Sequence, residues 1–418
     1  VLSSYRQIFA APGSLAFSST GFISRLPISM TGIGIVTMLS QLRGSYGVAG
    51  LVSATLAVSA AVLGPQVSRL VDRHGQRRIL LPATAITVAA AVGLLVCARL
   101  GAPDWTLFVF AAGMGVMPST GAMVRARWAH LYRDDAPKLH TAYSFEAVVD
   151  EICFIVGPIL AITLATSVFP EAGVLLAGLF LAVGVALFAA QRSTQPPVHP
   201  AARHTGSSVI LNRGLQVLIL TFVATGAIFG SVEVVTVAFS DEQGHKSVSS
   251  VILALWALGS CVAGVVFGTL KLTGSMAGRF FGGVLFMALS MAPLLLVAES
   301  VHGVGGLAAV GAALLVAGIA ISPTLITAMA LVERLVPAAQ LTEGMTWTTT
   351  GLALGVALGS SAAGWVVDAA GAAAGYWVPL TAGVFGVVAA LTGLGRLRAG
   401  LSSAEAAQPA GQTVDLDR

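Results

Sequence analysis

Arg25, Glu146, Asp150, Glu151 and Glu233 stand inside long apolar runs of this sequence. An ionisable group at the centre of a bilayer costs several kcal/mol, so each is a candidate for function. The chemistry open to them is proton exchange: burial disfavours a carboxylate and a neighbouring guanidinium favours it, and a carboxyl balanced between the two can titrate near neutral pH. On a helix starting near Leu139, Glu146 lies about 10 Å in, and Asp150 and Glu151 lie about 16–18 Å in, near the midplane. Glu146 and Asp150 share a face at i, i+4, whereas Glu151 points about 100° away. Asp150 or Glu151 is therefore the expected proton carrier. Arg25, about 18 Å into the first run, is either its partner or a binder of an anionic substrate group. The structural alternative is a permanent Arg25–carboxylate bridge tying the first helix to the fifth, with Glu146 as a brace. Glu233 lies past midway in its run, as a second protonatable site or part of the outer gate, with a group in a wet vestibule as the structural alternative. Trp347, Met114, Met117 and Phe22 are candidate cavity walls, an aromatic face being able to stack on substrate; simple packing is the alternative for each. Pro27, Pro118, Pro158 and Pro323 fall within predicted helices, where each kinks or hinges a rod.

The elements that must position these groups follow from composition. Of 418 residues, 56% are apolar and 10% charged, against roughly 25% charged in soluble domains, and the mean hydropathy is +0.89. That excludes a soluble enzyme, a nucleic-acid-binding module and a disordered chain. Long unbroken apolar runs exclude a membrane β-barrel. The expected fold class is an all-α membrane protein of twelve transmembrane helices, with cores near 12–42, 47–68, 79–99, 105–124, 140–165, 173–191, 215–239, 249–270, 279–298, 304–331, 341–367 and 375–395. The first run is overlong and interrupted by prolines and glycines, which predicts a kink, a tilt or a preceding interfacial segment.

Basic residues crowd alternate loops (Arg69 to Arg78, Arg125 to Lys138, Arg192 to Arg213, Arg396 and Arg398), and the intervening loops hold Arg43, Arg99 and Lys246. This bias predicts a multi-pass protein of the inner cell membrane with both termini cytoplasmic. No signal peptide is expected, because the first run leads straight into further spans. Residues 1–191 read as an N-terminal six-helix bundle, 192–214 as a cytoplasmic central loop, 215–396 as a C-terminal six-helix bundle and 397–418 as a loose cytoplasmic tail. Parallel spacings, Thr20-Gly21 to Gly64 against Thr225-Gly226 to Gly268 and Glu146 to Gly157 against Glu343 to Gly355, suggest a 6+6 duplication. Cys97, Cys153 and Cys261 lie in apolar runs as packing residues. No metal spacing, phosphate loop or nucleophile triad is present. The expectation is no metal, no cofactor, no enzymatic activity and no nucleic-acid partner. The partners are then the lipid bilayer and a small-molecule substrate, the chain a monomer, and the energy source an ion gradient, a proton gradient first, or the substrate's own gradient.

Ser68-Arg69-Leu70-Val71-Asp72-Arg73-His74-Gly75-Gln76-Arg77-Arg78, between the second and third helices, resembles the cytoplasmic signature of the major facilitator superfamily, G-x-L-x-D-R-x-G-x-R-R, with Ser68 at the first glycine. The equivalent loop of the second half keeps Gly278-Arg279 but has Ser275 where the acid would be. In helix 5, Gly157-Pro158 resembles the core of the glycine-rich motif of the superfamily's exporters, whose final glycine pair is replaced here by Ala161-Ile162. The exporters' helix 4 pattern, an Arg before Gln-Gly, is missing.

The resemblance implies the major facilitator fold, two pseudo-symmetric six-helix bundles rocking about a midplane site. It further implies that Ser68, Asp72, Arg73, Gly75, Arg77 and Arg78 form a conformational latch holding the halves together in the outward-facing state. Asp72 would face a helix N-terminus or the neighbouring arginines. The function so read is a secondary active transporter, exporting a small amphipathic organic compound in exchange for protons. Its rivals are a proton-coupled importer of a sugar, organic acid or peptide, and a non-transporting scaffold or sensor that retains the fold.

Overall fold

The computed structural model describes residues 2–44, 46–198, 208–245, 248–270, 274–301 and 303–407. Every regular element among the described residues is helical. The first half holds α1 (Leu2–Ile8), α2 (Ser14–Arg43), α3 (Tyr46–His74), α4 (Gln76–Arg99), α5 (Asp104–Met114), α6 (Thr120–Leu131), α7 (Ala136–Ser167) and α8 (Ala172–Ala190). The second holds α9 (Arg213–Glu242), α10 (Val248–Phe267), α11 (Met276–Leu289), α12 (Ala292–Ser300), α13 (Gly303–Gly318), α14 (Ile321–Leu335), α15 (Leu341–Ala370), α16 (Ala372–Gly375) and α17 (Trp377–Ala407). Eleven rods are long and apolar enough to cross a membrane, with α11–α12 and α13–α14 each counted as one rod. The fourth rod of the first half is built instead from the short α5 and α6 in succession.

Helix ends follow local chemistry. Gly44, at φ 65°, closes α2 by donating its N–H to the Ser40 carbonyl. Gly75, at φ 90°, makes the tight turn from α3 to α4, a conformation that a side chain disfavours. Asp135 caps α7 by accepting from the Lys138 N–H at 3.1 Å, with a proline in the first turn. The Lys138 ammonium, 2.7 Å away, holds the Asp135 carboxyl below its ordinary range. Asn212 Oδ1 caps α9 through the N–H groups of Gly214 and Leu215.

Both halves pack rod one against rod five at a glycine. In the first, a Cβ on Gly157 of α7 would lie 2.0 Å from the Ser29 hydroxyl of α2. In the second, a Cβ on Gly355 of α15 would lie 2.0 Å from the Val223 carbonyl of α9, and Gly226, Gly230 and Gly359 meet the facing backbone as closely. Small residues let backbones approach without a hydrophobic driving force, the usual solution in lipid. The Gly157/Gly355 correspondence in the sequence is thus a correspondence of packing.

The run 105–124 departs from the expected single helix. α5 stops at Met114 and α6 begins at Thr120, because Pro118 lacks a donor and Gly113 and Gly115 weaken the turn before it. Pro118 therefore sits in an unwound link rather than inside a helix, and Pro323 sits in the first turn of α14 after a break at Ile319-Ala320. Pro27 and Pro158 do lie inside helices. The expected preceding segment of the first run is α1. The expected tail is shorter than 397–418, because α17 continues to Ala407 on helix-favouring Leu, Arg and Ala residues; 408–418 lie outside the described residues. In the central loop, 192–198 and 208–212 are described and 199–207 are not. Lys246 and Lys271 likewise lie outside the described residues.

Candidate functional site

The mid-depth charges gather where α2, α6 and α7 meet. Arg25 Nη1 donates to Asp150 Oδ1 at 2.9 Å, and Arg25 Nη2 donates to Glu146 Oε2. Asp150 is held from the other side by Arg125 Nη2, 2.5 Å from Oδ2. Glu146 Oε1 also accepts from Trp128 Nε1 at 2.7 Å and from Ser18 Oγ at 3.3 Å. Two guanidinium groups therefore balance two carboxylates, and each carboxylate oxygen has a donor, which is the condition for tolerating buried charge. Glu146 is fully buried and Arg25 is 3% exposed, whereas the Asp150 side chain is 31% exposed. Asp150 is thus the open edge of the network. Gly121 leaves room for it, since a Cβ there would stand 3.2 Å from Arg25 Cδ and 3.4 Å from Arg125 Nη1.

Arg125 and Arg127 correct the sequence reading, which places both among loop charges. Breaking the fourth rod carries α6 inward, and both side chains are buried. Arg127 finds no carboxylate. It donates to Gln76 Oε1 (2.8 Å), Thr194 Oγ1 (3.0 Å) and the carbonyls of Phe188 and Gln191 (both 3.1 Å), and lies 3.7 Å from the Phe188 ring centre. It caps the negative end of α8 and pins the start of the central loop. Trp128, also missed, stacks on Tyr132 and meets Phe9 and Phe17 edge-on, sealing the network from the end where the basic loops lie. The only sequence signal for Arg125 was its place one turn after Gly121.

Glu151 is not a partner of Arg25. It points away as its 100° offset requires, across to the second half, where Ser260 Oγ of α10 donates to it at 2.7 Å. Glu233 is exposed on α9 and has no partner among the described residues. Met114 and Met117 face a void of about 20 Å³ inside the first half, with Pro27 and Thr31, so they pack one bundle rather than line a space between two. Phe22 is half-buried against Leu26, Met30 and Val149. Trp347 is half-buried against the core, and its Nε1 has no acceptor among the described residues. Thr348 and Thr349 turn their hydroxyls back onto the helix backbone.

The 2–3 loop reaches the second half. Asp72 Oδ2 accepts from the backbone N–H of Glu343 at 2.9 Å, in the first turn of α15, and so caps that helix from the opposite bundle. Ser68, in the place of the signature glycine, is fully buried and shares a 2.9 Å hydrogen bond with Thr346 of α15. Arg69 Nε stands 3.9 Å from Glu343 Oε2, and Glu343 Oε1 accepts from Ser208 at the end of the central loop. Arg73, Arg77 and Arg78 form no ion pair among the described residues; Asp72 meets the helix N-terminus instead of them. Further bonds join the halves at this end: Tyr5 to the Val265 carbonyl (3.0 Å), Thr141 to the Gly268 carbonyl (2.8 Å) and His140 to the Phe267 carbonyl (2.8 Å). Between the halves here lies a cavity of about 210 Å³ lined by Asp72, Gln76, His130, Arg133, Glu333 and Thr342 among others.

The model of the Major Facilitator Superfamily matches residues 17–315, and the chain belongs to that family of membrane transporters. Curated proteins give no match by sequence. Among solved structures, a bacterial homologue of the iron transporter ferroportin in an outward-facing state is similar, with a TM-score of 0.72 at 16% identity over 92% of this chain and 99% of that one. The human organic anion transporter MFSD10 (TETRAN) is similar at 0.68 and 16% identity, over 93% of this chain and 100% of that one. The transporter FucP in the outward conformation is similar at 0.66 and 11% identity, over 91% and 98%. At such identities the likeness is one of fold.

Proposed function

We propose that the chain is a proton-coupled secondary transporter that exports a small amphipathic organic compound by alternating access, from a bacterial inner membrane with both termini in the cytoplasm. The observation that carries this reading is the division of labour among the mid-depth acids. Glu146 and Arg25 are sealed and fully satisfied, a tie between α2 and α7. Asp150 stands partly open, and Glu151 has a hydroxyl rather than a cation for a partner. Charged groups at mid-depth are retained where an ion or substrate uses them, and these two are the ones a proton can reach. The interruption of the fourth rod in each half, at 115–119 and at 319–320, supports a midplane site, since broken helices in corresponding positions mark such sites in repeat-built transporters.

The test is transport in proteoliposomes under an imposed pH gradient, across dyes, antibiotics and sugars. Expected is pH-driven movement of at least one amphipathic dye, abolished by Glu151→Gln and strongly reduced by Asp150→Asn. Full gradient-driven transport in both variants overturns the proton assignment, and saturable sugar uptake overturns the direction and substrate class.

A further inference from the structure

We propose that Ser260 of α10, backed by Ser322 of α14, is the residue through which a proton on Glu151 acts on the joint between the two halves; this rests on the proton-coupled reading above. Of the inter-half bonds described, Glu151–Ser260 is the deepest: the others lie at the basic end, and this one lies at mid-depth. Ser260 is fully buried and Ser322 nearly so, with their hydroxyl oxygens 2.8 Å apart. The chain Glu151–Ser260–Ser322 thus runs from the first half into the second. Three rods converge on it. A Cβ on Gly264 of α10 would lie 2.9 Å from Ser322 Cβ and 3.4 Å from Val148 of α7, and a Cβ on Gly318 of α13 would lie 3.0 Å from the Ser260 backbone N. The Ile319-Ala320 break that starts α14 therefore sits against the hydroxyl pair.

The groups facing Glu151 leave this hydroxyl as its partner. Arg25 of α2 and Arg125 of α6 are taken up by Glu146 and Asp150. Asp150 neighbours it on α7 and Cys261 neighbours it on α10. α8 carries no charged residue, and Glu333 and Arg334 of α14 lie at that helix's far end. While Glu151 is a carboxylate, Ser260 must donate to it, and Ser322 can donate in turn to Ser260. This ordering joins the halves by a charge-assisted bond. When a proton enters from the open side it resides on the Glu151 carboxyl, which can then donate to Ser260; Ser260 turns its hydrogen to Ser322, and the charge assistance disappears. No other bond is made or broken. Charge-assisted hydrogen bonds are about twice as strong as neutral ones, so protonation loosens the joint between the halves at mid-depth. An exchanger needs that sequence: external protons release the outward-facing state.

Hydrogen–deuterium exchange of the full chain in phosphatidylcholine/phosphatidylglycerol nanodiscs reads the joint directly. With rates corrected for intrinsic chemistry, peptides spanning 140–151 and 260–268 of the wild type should open roughly fivefold more at about pH 5.5 than at about pH 8. Glu151→Gln should show the acid pattern at both values. Ser260→Ala should lose the pH response, and Ser260→Thr should restore it, a rescue that a packing role alone would not predict. If Ser260→Ala fails to fold, Glu151→Gln and Ser260→Thr still decide. Ethidium transport under a pH gradient is measured in parallel. A pH response unchanged in Glu151→Gln, with gradient-driven ethidium transport intact in the wild type, overturns this inference alone. A wild type with neither a pH response nor gradient-driven transport overturns the proton-coupled reading and the inference with it.

Discussion

Arg25 is spent on two carboxylates at once, and that use constrains what can replace it. Its fork reaches Glu146 on one side and Asp150 on the other, which a single ammonium cannot do with the same geometry. Arg25→Met strands buried negative charge and should destabilise the protein by about 3–5 kcal/mol, seen as a lower thermal midpoint in detergent. Arg25→Lys should recover part of that. Trp128→Phe keeps the aromatic seal but removes the Nε1 donor to Glu146. A lost hydrogen bond to a charged group costs about 1.5–3 kcal/mol, so this variant should fall between wild type and Arg25→Met. An unchanged midpoint in Arg25→Met would show that Glu146 and Asp150 are neutralised in some other way. These residues were legible in unequal measure. Arg25, Glu146 and Asp150 stand out because apolar neighbours frame them. Arg125 was hidden because Arg127 and Arg133 follow it closely, and a cluster of arginines after an apolar run looks like a loop. Ser260 was illegible: a serine in a membrane helix carries no sign of whether it bonds its own backbone or a carboxylate on another rod.

At the scale of the helices, glycine decides where rods can touch. α9 and α15 approach so closely that a Cβ on Gly226 would lie 2.0 Å from the Leu352 carbonyl, and one on Gly355 equally close to that of Val223. Backbone atoms cannot rotate away as a side-chain tip can, so Gly355→Ala must push the two helices apart. Overpacking of this kind costs about 1–3 kcal/mol or more. Gly364→Ala, on the same helix but with nothing within 4 Å, should instead stabilise by about 0.5–1 kcal/mol, the helix-propensity difference. Thermal midpoints moving in opposite directions would establish the packing argument; two equal shifts would refute it. Apolar length alone revealed most of the rods. It did not reveal the break in the fourth, because Gly113, Gly115 and Pro118 are each tolerated within membrane helices and only tertiary contacts decide whether the turn unwinds. Here Ser59 Oγ takes up the Ala112 carbonyl at 2.7 Å, and it sits where a Cβ on Gly115 would go.

For the whole molecule, the question is what biases the two bundles toward closure at the basic end. Asp72 is the one carboxylate of the 2–3 loop, and its partners are not arginines but the N-terminal turn of α15, where it accepts from the Glu343 N–H and from the Thr342 side chain. A carboxylate at a helix N-terminus contributes about 0.3–1 kcal/mol, rising to about 2 kcal/mol where partly buried. Because the carboxylate and the helix belong to different halves, that energy exists only while the halves are docked, and it shifts the equilibrium between states rather than the stability of either bundle. Asp72→Asn keeps an acceptor for the Glu343 N–H but removes the charge, so the closed population should fall by up to about thirtyfold relative to the open one. Ser68→Gly, which restores the signature residue, removes the bond to Thr346 and should act in the same direction, by about fivefold. Spin labels at Arg78→Cys and Arg396→Cys, on exposed positions of α4 and α17 with Cys97, Cys153 and Cys261 replaced by Ala, report the separation of the halves at this end. Both variants should add a longer distance without lowering the thermal midpoint by more than about 1 kcal/mol equivalent. A latch acting only as a topology signal would leave the distance distribution of both variants as it is in the wild type.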